Sequence, residues 1–264
     1  MQTSARICGV VAVVFAAADW GSWAGISPTS QVRSLATEAS AELPAVPPNP
    51  VLDSDLSSAP DFSSYLAEVQ SEATDFAAPP FALRYGQGTA KQDSKIGPII
   101  ISAKGEASVQ LNLIPGNILG GASRAEAESL FDVTFSIDVR SHFSLTGLLD
   151  TQGITAGGAT VPNLDNDFSF WDLDASTLLF NAASTDESIA LSGVLEPGQY
   201  RLLANAVVSA AEVSVLGPSR SVSGLSSFDL RLIVTNVPES NSVLAWIGLC
   251  GLVGGTWLTR HLKG

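Results

Sequence analysis

From about Ile96 to Val237, apolar and polar residues alternate with a period of two. Phe131, Val133, Phe135, Ile137 and Val139 interleave with Asp132, Thr134, Ser136, Asp138 and Arg140. This predicts a strand with one buried and one wet face. Phe228, Leu230, Leu232 and Val234 repeat the pattern. Ile189, Leu191, Gly193 and Leu195 run into Glu196-Pro197-Gly198-Gln199, and Tyr200, Leu202, Ala204, Ala206 and Val208 follow. Pro197 presets φ and Gly198 tolerates positive φ, so the segment predicts a hairpin closed by a type II turn. Shorter strands are expected at Ile99 to Ala103, Ser108 to Leu113, Phe143 to Leu148, Phe168 to Leu173 and Leu178 to Asn181, with Gly120-Gly121 and Gly157-Gly158 marking loops. Short strands with close connections and no amphipathic helix point to an all-β domain over 96–236. The expected fold is an antiparallel β-sandwich, either a jelly roll or immunoglobulin-like.

The preceding stretch, 25–95, reads differently. From Ser34 to Lys95 it is rich in Ala, Ser, Pro and Asp, with Pro44, Pro47, Pro48, Pro50, Pro60, Pro79 and Pro80 interrupting any long element. Like charges at Glu38, Glu42, Asp53, Asp55 and Asp61 add repulsion. This composition predicts a largely disordered acidic spacer, with one helical stretch from Phe62 to Phe76.

The two ends carry targeting signals. Arg6 precedes an apolar run from Ile7 to Ala18, and Ala16-Ala17-Ala18 and Ser22-Trp23-Ala24 offer small-residue cleavage sites, so 1–24 is expected to be a signal peptide. At the other end Val237-Pro238-Glu239-Ser240 precedes an apolar run from Val243 to Leu258, then Arg260, His261 and Lys263. With its basic flank snorkelling, the run is close to the length of a membrane-spanning helix, and the charge places the tail end in the cytoplasm. This segment, 237–264, resembles the PEP-CTERM sorting tails of exopolysaccharide-producing Gram-negative bacteria: Val237, Pro238 and Glu239 match the motif, while Ser240 replaces its second proline. The resemblance implies handling by an exosortase-type membrane protease, at least transient membrane anchorage, and delivery to the cell surface or matrix. Gly193-Val194-Leu195-Glu196-Pro197-Gly198-Gln199-Tyr200-Arg201-Leu202 and Phe228-Asp229-Leu230 are also similar to segments preceding such tails.

Composition narrows the chemistry. Both cysteines, Cys8 and Cys250, fall in these end segments, so the body has neither disulfides nor Cys ligands. Net charge is −13, which makes nucleic acid and anionic membrane surfaces poor partners. Asp165, Asp167, Asp172 and Asp174 form the densest set of oxygen ligands and could hold a hard cation such as Ca²⁺, although the glycine and glutamate of an EF-hand loop are missing. Trp171 is out of phase with Phe168 and Phe170, so it should face outward, where an aromatic ring beside carboxylates suits a sugar. His142 has no distinguishable Ser or Asp partner, and no nucleophile elbow or phosphate loop occurs. The expectation is therefore a non-enzymatic surface or matrix protein of structural or adhesive kind, the alternative being a lectin-like module built around Trp171.

Overall fold

The computed structural model describes residues 25–43, 50–77, 82–114, 121–183, 186–213 and 218–237. The expected signal peptide, 1–24, and the tail beyond Val237 lie outside them, as do the expected membrane helix, Pro238 and Glu239. Among the described residues no helix is long and apolar enough to cross a membrane.

Among the described residues twelve strands form two six-stranded antiparallel sheets. They are β1 (Ile26–Glu42), β2 (Val51–Ser58), β3 (Tyr65–Ala77), β4 (Ala82–Ile96), β5 (Ile100–Ile114), β6 (Ala122–Ile137), β7 (Ser141–Ala156), β8 (Asn163–Asp172), β9 (Thr177–Ala183), β10 (Glu187–Leu195), β11 (Gly198–Val213) and β12 (Arg220–Asn236). Sheet A has the order β2-β1-β6-β11-β8-β9, and sheet B the order β10-β7-β12-β5-β4-β3. Their inner faces meet in a sandwich core. The last eight strands pair in a nested way: β5 with β12, β6 with β11, β7 with β10 and β8 with β9. Strands β1 to β4 then widen both sheets along one side.

The expected spacer is therefore corrected, since 25–95 supplies four strands. The Phe62 to Phe76 stretch is also not helical but lies mostly in β3. The alternation is present but written in small and polar residues: Arg33, Leu35, Thr37, Ala39 and Ala41 point inward from β1, and Tyr65, Val69, Ser71 and Ala73 from β3. Among the described prolines, Pro28 sits at a β-bulge, Pro50 precedes β2 and Pro60 lies between strands, where a missing N–H costs no ladder bond. The expected segments Ile99 to Ala103 and Ser108 to Leu113 merge into the single strand β5.

The hairpin expected at Glu196-Pro197-Gly198-Gln199 is corrected too. β10 pairs with β7 in sheet B and β11 with β6 and β8 in sheet A, so Glu196-Pro197 carries the chain from one sheet to the other. Gly198 is absent from the glycines with positive φ, which among the described residues are Gly121, Gly157 and Gly158. Alternation around a turn sequence shows two strands and a reversal, but not that the strands share a sheet.

The sheets are joined by reciprocal side-chain bonds to the opposite backbone. Gln92 Nε2 donates to the Leu130 carbonyl (3.0 Å) and Ser129 Oγ to the Lys91 carbonyl (3.1 Å). Further along, Asn166 Nδ2 donates to the Ser227 carbonyl (2.6 Å) and Ser226 Oγ to the Asp165 carbonyl (2.9 Å). Each pair gives a buried side-chain donor and a backbone carbonyl their partners across the sheets, while Gln92 Oε1 and Asn166 Oδ1 stay without one.

Candidate functional site

Strand β8 places most of the residues singled out from the sequence. Phe168 and Phe170 are fully buried, and Phe170 packs edge-on to Phe143 with ring centroids 5.6 Å apart. The opposite phase carries Asp165, Asp167 and Trp171 on the outer face of sheet A. Trp171 is half-buried, paired across the ladder with Leu178 on β9 and Arg201 on β11. Arg201 reaches diagonally to Asp132 and forms a two-pronged ion pair, Nε to Oδ1 at 2.8 Å and Nη2 to Oδ2 at 2.7 Å. That pairing holds the Arg201 guanidinium above its ordinary pKa. An aromatic edge, an aliphatic side chain and an oriented charge pair thus line one end of this face.

The four aspartates do not converge. Asp172 ends β8 and its Oδ1 accepts the Ala175 amide at 2.9 Å. Asp174 lies in the turn beyond and its Oδ2 accepts the Gln199 amide at 3.0 Å. Asp165 sits seven residues back from Asp172, about 23 Å along an extended strand. Two carboxylates therefore brace the turn and the crossover near Gly198, and two lie on the outer face in the middle of the sheet, Asp165 exposed and Asp167 half-buried. Among the described residues no three acidic, histidine or cysteine side chains gather as a metal group. The expected Ca²⁺ ligand set is corrected on this geometry: residues close in sequence are separated by the extended strand. Burial, with help from neighbouring Asp165, raises the Asp167 pKa. His142 is exposed near the start of β7, with Val194 and Thr235 as its cross-strand neighbours.

A second site was not singled out from the sequence. On the outer face of sheet B a trough of about 500 Å³ is lined by Leu66, Glu68, Lys91, Asp93, Lys104 and Glu106, with Ala67, Gln92 and Gly105 as its floor. Two rows of side chains cross the strands on either side of it. One row is Leu66, Asp93, Lys104 and Asp229, and the other is Glu68, Lys91, Glu106 and Ser227. Lys91 Nζ lies 3.3 Å from Glu68 Oε1. On the inner side of this floor Gly105 leaves room for the core, because a Cβ there would collide with the buried Phe228 ring and Ser129 Oγ. The alternation Lys91-Gln92-Asp93 is visible in sequence, but its partners on β3 and β5 become neighbours only through register.

Val237 continues directly from β12, its amide donating to the Arg140 carbonyl at 3.2 Å. The beginning of β1 is at the same end of the sandwich, where the Ile26 amide donates to the Pro98 carbonyl at 2.6 Å.

No protein-family model matches the chain, and no curated protein matches it. Among solved structures, one described as "Structure of infectious bursal disease virus Gx strain" aligns over 84% of this chain and 84% of its own, at 12% identity and a TM-score of 0.16. A likeness of that size carries no argument about fold or function.

Proposed function

We propose that this is an exported surface or matrix protein of structural or adhesive kind, with a jelly-roll body delivered by an exosortase-type system and anchored, at least transiently, by its tail helix. The nested pairing of β5 to β12 favours the jelly roll over an immunoglobulin-like order. The observation that carries the functional reading is the exit of the chain. The central strand β12 runs without a linker into Val237, the first residue of the Val-Pro-Glu motif, at the same end as the start of β1. A membrane anchor attached there would stand the sandwich on end, with both outer faces presented to the surroundings. An acidic body without disulfides suits a soluble domain held outside the cell by its apolar core.

Mass spectrometry of the product recovered from its own cells tests this. The expected product lacks the residues before about Ile26, ends near Glu239 and is accessible to protease on intact cells. Recovery from the cytosol as a chain running through to Gly264 would overturn the proposal.

A second reading is a lectin-like module at Trp171, favoured by the row Leu178, Trp171 and Arg201 on the outer face of sheet A. Glycan-array binding abolished by Trp171→Ala would support it, and binding unchanged by that substitution would remove it.

A further inference from the structure

We infer that the trough on the outer face of sheet B is a binding site for an uncharged, hydroxyl-rich polysaccharide lying across strands β3, β4 and β5. The inference rests on the surface-and-matrix reading and adds a ligand class and a place for it. All three lysines outside the tail, Lys91, Lys95 and Lys104, project from this one face, and Arg231 joins them across Ser102. In a chain of net charge −13 their concentration on two adjacent strands is a local departure from the general field.

The lysines do not make an anion site, because each faces carboxylates. Lys104 stands between Asp93 and Asp229 in the ladder, and Lys91 between Glu68 and Glu106. Within the trough three carboxylates accompany two ammonium groups, so a polyanion would meet a slight excess of like charge. What such a lining offers is closely spaced strong donors and strong acceptors. A lysine ammonium gives three donors and no acceptor, and a carboxylate only acceptors. A hydroxyl does both, so a chain of sugar hydroxyls can satisfy neighbouring groups of either kind.

Shape agrees with chemistry. The two rows are separated by one strand repeat of two residues, about 7 Å, and three strands span about 10 Å across. The backbone at the floor is already paired within the sheet, so the trough offers no free edge to an extended peptide. Leu66, 81% exposed on edge strand β3, supplies an apolar surface at one mouth for the C–H face of a sugar ring. This site is distinct from Trp171, which lies on the outer face of the other sheet.

The test is affinity electrophoresis of the processed protein through gels containing dextran, galactomannan or xyloglucan, with a polyuronate gel in parallel. At least one uncharged polymer should retard the protein, with little change on adding salt. The double substitution Lys91→Met and Lys104→Met keeps the side-chain stems and should weaken retardation by at least about tenfold, since the loss of even one bond to a charged group is of that order. Trp171→Ala should leave it unchanged, and an unaltered melting temperature of the double variant shows that folding is not the cause. No retardation by any of the three uncharged polymers, retardation by polyuronate alone, or a double variant retarded like the parent would overturn the inference. Processing and surface exposure of the double variant are expected to be normal, so failure here is separable from failure of the surface reading.

Discussion

The two sides of the sandwich solve the same packing problem with opposite materials. Toward β8, β9 and β11 the interior is aromatic: Phe135 stacks on Tyr200 at 5.9 Å, Tyr200 lies 6.1 Å from Phe170, and Phe168 meets Phe180 at 5.9 Å. Toward β1, β3 and β4 it is built from Ala39, Ala41, Ala73 and Ala90, together with Gly86, Gly88, Ser71 and Thr37. There the sheets approach so closely that a Cβ on Gly88 would sit 2.6 Å from the Glu126 carbonyl oxygen, and one on Gly86 2.8 Å from that of Arg124. Typical sheet stacking of about 10 Å needs side chains of ordinary size between the layers. Where the sheets come closest, at Gly86 and Gly88, the thin side dispenses with them, and larger buried side chains such as Arg33, Leu35 and Tyr65 lie elsewhere along its strands. It supplements its smaller apolar burial with polar bonds around Arg33, which is 1% exposed: Arg33 donates to Gln31 Oε1 at 2.8 Å, to Ser94 Oγ at 3.1 Å and to the Asp61 carbonyl, and lies 5.6 Å from the Tyr65 ring. Burial lowers the Arg33 pKa, and Asp61 partly offsets this.

If the contrast is correct, the two sides should fail under opposite substitutions. Phe170→Ala should be the most damaging, at about 4 kcal/mol in chemical denaturation, because it opens a cavity among rings that cannot collapse into it. Gly88→Val should cost about 3 kcal/mol by the reverse route, since the obstacle is backbone and cannot rotate away. A Gly88→Val protein as stable as the parent would refute the close approach of the sheets.

Tyr200 probes the border of the aromatic side. Burial, reinforced by Asp172, Glu196 and Asp174, pushes its phenol up to about 12, and its hydroxyl donates to the Glu196 carbonyl at 2.7 Å. The unfolded value lies near 10, so the protonated form is the one the fold favours. The resulting contribution is complete below pH 10 and is lost as pH rises through 12, amounting to roughly 2 to 3 kcal/mol. Tyr200→Phe should cost about 1 kcal/mol at neutral pH through the missing bond, and should flatten this part of the alkaline stability curve. An unchanged alkaline slope would refute the assignment.

The smallest effect concerns the open edge of the thin side. Asp53 lies on the inward phase of edge strand β2 and accepts the Glu72 amide of edge strand β3 at 2.8 Å, while Tyr65 donates its hydroxyl hydrogen to Ser57 Oγ at 2.9 Å. The first bond occupies a backbone amide that an exposed edge would otherwise offer to another chain, and the second ties the two edge strands together. Asp53→Ala should cost about 1 kcal/mol and increase self-association on light scattering. A variant that stays monomeric under conditions where the parent does would remove the edge-guarding role.

Large side chains made the aromatic side legible. The alternation of Phe131 to Ile137 and of Phe228 to Val234 announced strands, and their inward phase is buried as expected. The same phase argument placed Trp171 opposite Phe168 and Phe170. On the thin side the alternation was equally regular, but Ala and Gly carry little hydropathy contrast, and prolines between strands resembled prolines within a spacer. The trough rows were illegible for another reason. Glu68, Lys91 and Glu106 are spread over three strands, and only the register makes them neighbours.

By itself, the order of residues determined that the body is built of strands, which side chains of the aromatic strands point inward, and that the chain carries a motif, an apolar segment and basic residues in succession at 237–264. Those properties are local, set by a two-residue period or by composition. Only the tertiary structure decided that β10 and β11 part into different sheets, that 25–95 completes both sheets, and that Asp165 and Asp172 stand apart while Lys91 and Glu68 meet. These depend on which strands lie side by side, and that choice follows from how whole faces fit together rather than from any one segment.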